Sequence, residues 1–307
     1  MKSFDTCTAF HTNNGAFLGR LVRLDQVNNT ILDKHQYSRD VSGVLAESIA
    51  LSSLLSSYLK YNGLFTLQTQ SDGAISLVVV DISSESIIRA YARYDDSKIE
   101  KIRNPNEKHR VADNELLEAP HYLGKGHLAF TIDQGDQTDL YQGIVELRGN
   151  TLSEVAEKYF SQSEQVQTYI KLFLQAPQNK KDRWKSAGIM LQKLPSEGGK
   201  VHNGSEIEAE WEEAVILAQS LKNEEIFDDN LTSDELLKRL FHANDLQITH
   251  NKKYQFGCRC SKEKLRDTLI SFPQEEINSM SDDNKVAVTC NFCSEQYSFD
   301  KGELTKQ

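Results

Sequence analysis

Four of the five cysteines in this 307-residue chain stand at positions 258, 260, 290 and 293. They form Cys258-Arg259-Cys260 and, after 29 intervening residues, Cys290-Asn291-Phe292-Cys293. Two close pairs on a long spacer suit tetrahedral zinc, because each pair supplies two thiolates from one turn and the spacer lets the second pair approach from elsewhere in the fold. Cys-x-x-Cys is the usual knuckle. Cys-x-Cys is tighter than the usual spacing, so the predicted site is an atypical one. Four buried structural cysteines and an iron–sulfur cluster are the other readings; no residue pattern favours the cluster.

The same spacing has a redox consequence. Zinc-bound sulfurs stay thiolate and remain open to oxidation. A Cys-x-x-Cys pair closes readily to a disulfide, and a Cys-x-Cys pair closes to a strained, easily reduced one. Either event removes ligands. Residues 251–307 are only 57 in number, too few for a robust core unaided. Structural zinc contributes on the order of 10–16 kcal/mol of apparent folding energy, so this unit is able to act as a folding switch. A plain structural zinc site is the competing reading.

Composition excludes several classes. No run of about 18 apolar residues exists, which argues against a spanning helix, and the N-terminal MKSFDTCTAFHTNN lacks the layout of a secretory signal. The expectation is a cytoplasmic protein with no membrane partner, and clustered cysteines there point to metal or redox work rather than structural disulfides. The net charge is −10, against the basic excess expected of a nucleic-acid binder. The charge is uneven. Residues 200–250 hold 12 acidic and 4 basic residues, residues 251–307 hold 9 of each, and residues 1–199 hold 24 and 22. One acidic segment thus separates two differently composed regions.

The pattern predicts an α+β chain in three parts: a mixed α/β core over 1–198 with a β-sheet, an acidic helical linker over 199–250, and a small zinc-binding C-terminal domain over 251–307. In the core, apolar periodicity gives a helix over 40–60 closed by Asn62-Gly63. Alternation gives a hairpin of strands 64–70 and 75–81, a strand over 87–93, and a further pair over 128–133 and 140–147 around Gln134-Gly135-Asp136. Thr151 with Glu154 starts a helix through Phe160. Residues 172–194 read as helix or mixed helix and strand, closed by Pro195 and Gly198-Gly199. In the linker, a helix over 206–221 carries Ile207, Trp211, Val215, Leu217, Ala218 and Leu221 mostly on one face, and Thr232 with Glu235 starts a second. These helices have too little apolar surface to stand alone and must lean on the first domain.

Weaker signals have blander explanations. Gly124-Lys125-Gly126 lacks the rest of a phosphate loop and reads as a turn. His121 and His127 have no metalloprotease spacing, Cys7 has no implied partner, and Trp184 and Trp211 read as packing residues. Lys262, Lys264 and Arg266 are offset by Glu263 and Asp267 and read as a solvated face. No catalytic residue is singled out, and the chain is not expected to be an enzyme. A zinc-ribbon protein bound to nucleic acid and a thiol oxidoreductase using Cys290 and Cys293 are the rival classes. The acidic balance opposes the first. The lack of a βαβ setting opposes the second.

The chain resembles the redox-regulated 33-kDa heat-shock chaperone family, also called the 33 kDa chaperonin family. The resemblance runs through GRLVRL (19–24), LLSSYLK (54–60), LGKGHL (123–128), YQGIVEL (141–147), YFSQSEQ (159–165), LQKLP (191–195), RLFH (239–242), FGCRCSKEKL (256–265) and VTCNFCSEQYSFD (288–300). It implies a reduced, zinc-bound, inactive monomer whose ligands are Cys258, Cys260, Cys290 and Cys293. It implies that oxidants convert these into the redox-active disulfides Cys258–Cys260 and Cys290–Cys293 and release zinc. The C-terminal domain and linker then unfold, and the protein, often as a homodimer, holds unfolding clients without ATP under oxidative and heat stress. An apolar face uncovered by the linker would suffice for such binding.

Overall fold

Serine is common in the longest helix, and its position there explains how the molecule is layered. In the computed structural model, which describes residues 4–59, 61–104, 111–112, 114–135, 140–179, 181–194 and 204–304, Arg39–Tyr58 is one helix capped by Ser38. Ser48, Ser52 and Ser53 donate to the carbonyls of Val44, Ser48 and Ile49 at 2.7–2.8 Å. Each buried hydroxyl is therefore satisfied inside the helix, and the small side chains let both sheets approach it. By length and composition this helix could cross a bilayer, yet 83% of its apolar window is buried within the protein. It is the central core helix.

Fourteen strands are described: β1 Thr6–Thr12, β2 Phe17–Leu24, β3 Leu64–Ser71, β4 Ile75–Ser83, β5 Ile87–Tyr94, β6 Gly126–Asp133, β7 Tyr141–Glu146, β8 Thr168–Gln175, β9 Lys185–Lys193, β10 Leu246–Lys253, β11 Gln255–Phe256, β12 Ser281–Asp282, β13 Lys285–Thr289 and β14 Gln296–Asp300. The helices are α1 Gln26–Leu32, α2 Arg39–Tyr58, α3 Asp96–Arg103, α4 Ala119–Leu123, α5 Leu152–Tyr159, α6 Gly204–Ser220, α7 Asn223–Ile226, α8 Ser233–Leu240, α9 Lys262–Ile270 and α10 Gln274–Met280. A five-stranded sheet runs β10-β1-β2-β9-β8, a six-stranded sheet β11-β5-β4-β3-β6-β7, and a small sheet β12-β13-β14. The α+β class is as expected.

Helix α2 packs against strands of both large sheets. Val22, Leu24 and Met190 of the five-stranded sheet join its core with Leu67, Val80 and Ile88 of the other. The opposite face of the five-stranded sheet carries Phe10, Phe17, Leu21, Phe173, Ile189 and Leu191, and these pack against α6, α7, α8 and Phe241. The acidic helices do lean on the rest of the chain, as their narrow apolar stripe requires. Buried Arg23 of β2 donates to the carbonyls of Leu231 and Asp228 at 2.5 and 2.6 Å. Thr232 and Glu235 form the expected capping box at α8. Thr232→Ala is expected to lower stability by about 1 kcal/mol, read as a reduced urea midpoint with faster amide exchange in α8.

Two local expectations need correction, and one hairpin is new. Residues 172–194 contain no helix; β8 and β9 form an antiparallel pair there. Seven consecutive residues of β9 are buried, because α2 covers one face and the acidic helices the other. Burial on two faces erases the period-2 signal. The β1–β2 hairpin was not anticipated. The acidic segment is not helical to its end, since β10 pairs with β1 across residue 250. The predicted turn residue Asp136 and closing residues Pro195, Gly198 and Gly199 lie outside the described residues. Gly124-Lys125-Gly126 is a turn, with Gly124 at φ +68° and the Lys125 N–H donating to Asp72 Oδ1 at 2.7 Å.

Candidate metal centre

Both cysteine pairs are delivered by short, backbone-defined turns. The first follows β11, which runs parallel to β5. Gly257 donates its N–H to the Ile88 carbonyl at 3.1 Å. A Cβ there would lie 2.5 Å from Ile87 Cγ2, so only glycine lets the chain lie this close to the sheet. Ser261 caps α9 just beyond Cys260. The second pair sits between β13 and β14. There the Cys290 N–H donates to the Glu295 carbonyl and the Ser294 N–H donates to the Cys290 carbonyl, both at 2.9 Å.

These turns bring all four sulfurs within 4.8 Å of one another. Cys258 and Cys290 Sγ are 3.7 Å apart, and Cys260 and Cys293 Sγ are 3.4 Å apart. Tetrahedral Zn–S bonds of about 2.3 Å would place sulfurs about 3.8 Å from one another. The donor set fits such an ion in number, softness and spacing. Cys290 is buried and the other three are half-buried. Burial alone would raise the Cys258 thiol, but the Cys260 backbone N–H and the neighbouring thiols outweigh it and hold Cys258 down at about 7. Burial pushes Cys260 and Cys293 up. The four sulfurs can thus hold a metal ion. Among the described residues they form the one such group of three or more His, Cys, Asp or Glu side chains.

The residues inside each pair face the six-stranded sheet. Arg259 Nη2 reaches Asp81 Oδ2 at 3.1 Å. Asp81, itself buried, also pairs with Arg89 at 2.6 Å and accepts from Thr66 at 2.7 Å. The Arg89 guanidinium lies 3.9 Å from the centroid of the Phe292 ring, and Tyr91 meets that ring edge-on at 4.8 Å. Each knuckle therefore places one side chain on β4 and β5. Sequence reading missed Asp81, Arg89 and Tyr91. The available signal was an acid in the apolar run of β4 and a base in β5, which the register places opposite each other.

The other candidates stay apart from the centre. Cys7 is buried, with burial raising its thiol. His121 is exposed and bonds the Glu118 carbonyl; neither it nor His127 joins the metal-ligand group. Lys262 pairs with Glu303 and Arg266 with Asp267 on an exposed face of α9. Trp211 of α6 is buried in the cluster between that helix and the five-stranded sheet, and Trp184 packs against the α2 core.

Fold and site together define an α+β protein with a group of four thiols, able to hold a metal ion, docked on its larger sheet. The family model described as Hsp33 protein matches residues 5–300, and the chain belongs to the Hsp33 family. It is 32% identical over 299 residues to the 33 kDa chaperonin of Caulobacter vibrioides (strain NA1000 / CB15N), covering 96% of this chain and 95% of that one. It is also 32% identical to the 33 kDa chaperonin of Shewanella woodyi, with 97% and 93% covered. The crystal structure of the Thermotoga maritima 33 kDa chaperonin shares the fold at TM-score 0.75 and 20% identity, with 98% of this chain and 96% of that one aligned.

Proposed function

We propose that this chain is an ATP-independent holdase chaperone of the cytoplasm, switched on by oxidation of Cys258, Cys260, Cys290 and Cys293. The observation that carries the reading is the meeting of four thiols on a unit whose own core has five buried apolar side chains: Leu269, Ile277, Val286, Phe299 and Leu304. So small a core depends on its cross-link. Zinc, when bound, ties the two cysteine pairs together and keeps their sulfurs as thiolates. Family resemblance supplies the pairing Cys258–Cys260 and Cys290–Cys293. Each disulfide forms as two thiols give up two electrons and two protons to an oxidant such as hypochlorite, which is reduced to chloride and water.

Residues 1–198 then serve as the stable core, 199–250 as the cover and 251–307 as the switch domain. Oxidation reshapes both knuckles, withdrawing Arg259 from Asp81 and Phe292 from Arg89. The acidic cover is continuous with this unit through β10, so losing the anchor loosens it from the five-stranded sheet. The apolar face beneath, centred on Phe10, Phe17 and Ile189, then binds unfolding clients, with the reduced protein a monomer and the oxidised one a homodimer. The test is metal analysis with zinc release followed during hypochlorite titration, alongside light scattering of a heat-unfolded client. One zinc per reduced chain is expected, with aggregation suppressed only as zinc is lost. A zinc-free reduced protein, or equal suppression by both forms, would reject the proposal.

A further inference from the structure

Three basic side chains on the covered face of the five-stranded sheet do an unusual thing: all hold main-chain carbonyls of the acidic cover. Arg23 on β2 donates to Leu231 and Asp228. Lys171 Nζ on β8 donates to the carbonyls of Gln219 and Leu221, both at 2.7 Å, closing the end of α6. Lys185 Nζ on β9 reaches the Phe227 carbonyl at 3.4 Å and the Asp229 carboxylate at 3.0 Å. Three cations thus meet five carbonyls, and between them lies the apolar floor of Leu21, Phe173 and Ile189. The cover does not use every donor: Arg23 Nε is buried without a hydrogen-bond partner among the described residues.

Helix ends are often closed by basic side chains, and that alone would explain Lys171. It does not explain cations from three different strands converging on the backbone of one detachable segment. Carbonyls are the feature that every unfolded polypeptide shares, whatever its sequence. Resting on the holdase reading above, we infer that Arg23, Lys171 and Lys185 form a carbonyl-binding set for clients: once the cover leaves, they grip the main chain of an extended polypeptide whose apolar side chains lie on the sheet. The acidic segment is then an internal stand-in for the client, occupying the same donors and the same floor. Charge-assisted hydrogen bonds are about twice as strong as neutral ones, and here they require nothing of the client's side chains.

The two lysines offer a test that spares the buried arginine. Lys171→Met, Lys185→Met, the double variant and the double Lys→Arg variant would be titrated, after hypochlorite oxidation, with a fluorescent, uncharged, apolar 20-residue peptide, following anisotropy. Because the probe has no charged side chains, ion pairing with the client cannot imitate the effect. The double Met variant is expected to bind at least about tenfold more weakly than wild type, with the double Arg variant near wild type. The reduced double Met variant should meanwhile show faster proteolysis within 204–241, since the cover loses the same bonds. Unchanged or tighter binding by the oxidised double Met variant, with its cover loosened, overturns the inference and leaves the lysines as clasps only. Failure of the oxidised wild type itself to bind the peptide overturns the holdase reading, and this inference with it.

Discussion

Phe241→Ala is expected to leave the reduced protein permanently able to suppress client aggregation. Phe241 is 1% exposed, and its ring lies 5.7 Å from Phe10 and 5.6 Å from Phe17. Phe10 in turn lies over Gly19, where a Cβ would come within 2.2 Å of the ring. This group of tilted rings belongs to the cluster between sheet and cover and contributes nothing to the α2 core. A buried Phe→Ala change costs about 3–5 kcal/mol. The cost falls on the docking of α6–α8, of which α7 and α8 have only 4 and 8 residues, too short to persist alone. Amide exchange over 204–241 should accelerate while α2 and β3–β6 keep their protection. Light scattering with the reduced variant should match oxidised wild type. Wild-type exchange in the cover, or suppression that still needs oxidant, would show that these rings do not hold the cover down.

Cys290→Ser should act from the opposite end. Serine's hydroxyl does not replace a thiolate ligand, and Cys290 is the most buried of the four. With metal affinity lowered, the unit forfeits much of the roughly 10–16 kcal/mol that a structural zinc contributes, and its five buried apolar side chains cannot make this good. Fast amide exchange is expected through α9, α10 and β12–β14 under reducing conditions, with zinc below one per chain and client binding without oxidant. Slow exchange through those elements would mean that the unit stands on its own packing and that the thiols are not its clasp. The two variants also separate cause from consequence. Phe241→Ala leaves the four sulfurs able to hold zinc while the cover opens. Cys290→Ser loosens the centre first.

Much of this molecule is legible residue by residue. Thr232 and Glu235 are three apart and meet in a capping box, and the period of residues 64–81 gives the β3–β4 hairpin. The spacing of the four cysteines points to a ligand group, and their sulfurs do lie within 4.8 Å of one another. Legibility fails where burial has two sides or where partners are remote. The middle of β9 is buried on both faces because two layers cover it, so its period vanishes. β10 closes an acidic stretch and pairs with β1, almost the whole chain away. Asp81 looks like a polar break in an apolar strand until Arg89 and Arg259 are seen around it.

Four sulfur donors in two short motifs, an acidic segment and a short C-terminal unit can all be read from the amino-acid order. Those properties are local, set by spacing, charge and length over a few tens of residues. What those groups touch is visible only in the folded chain. Arg259 meets Asp81 across 178 residues and Arg23 meets the Leu231 carbonyl across 208. Contacts of that kind follow from the packing of two sheets about one helix, and no local pattern encodes which face ends up opposite which.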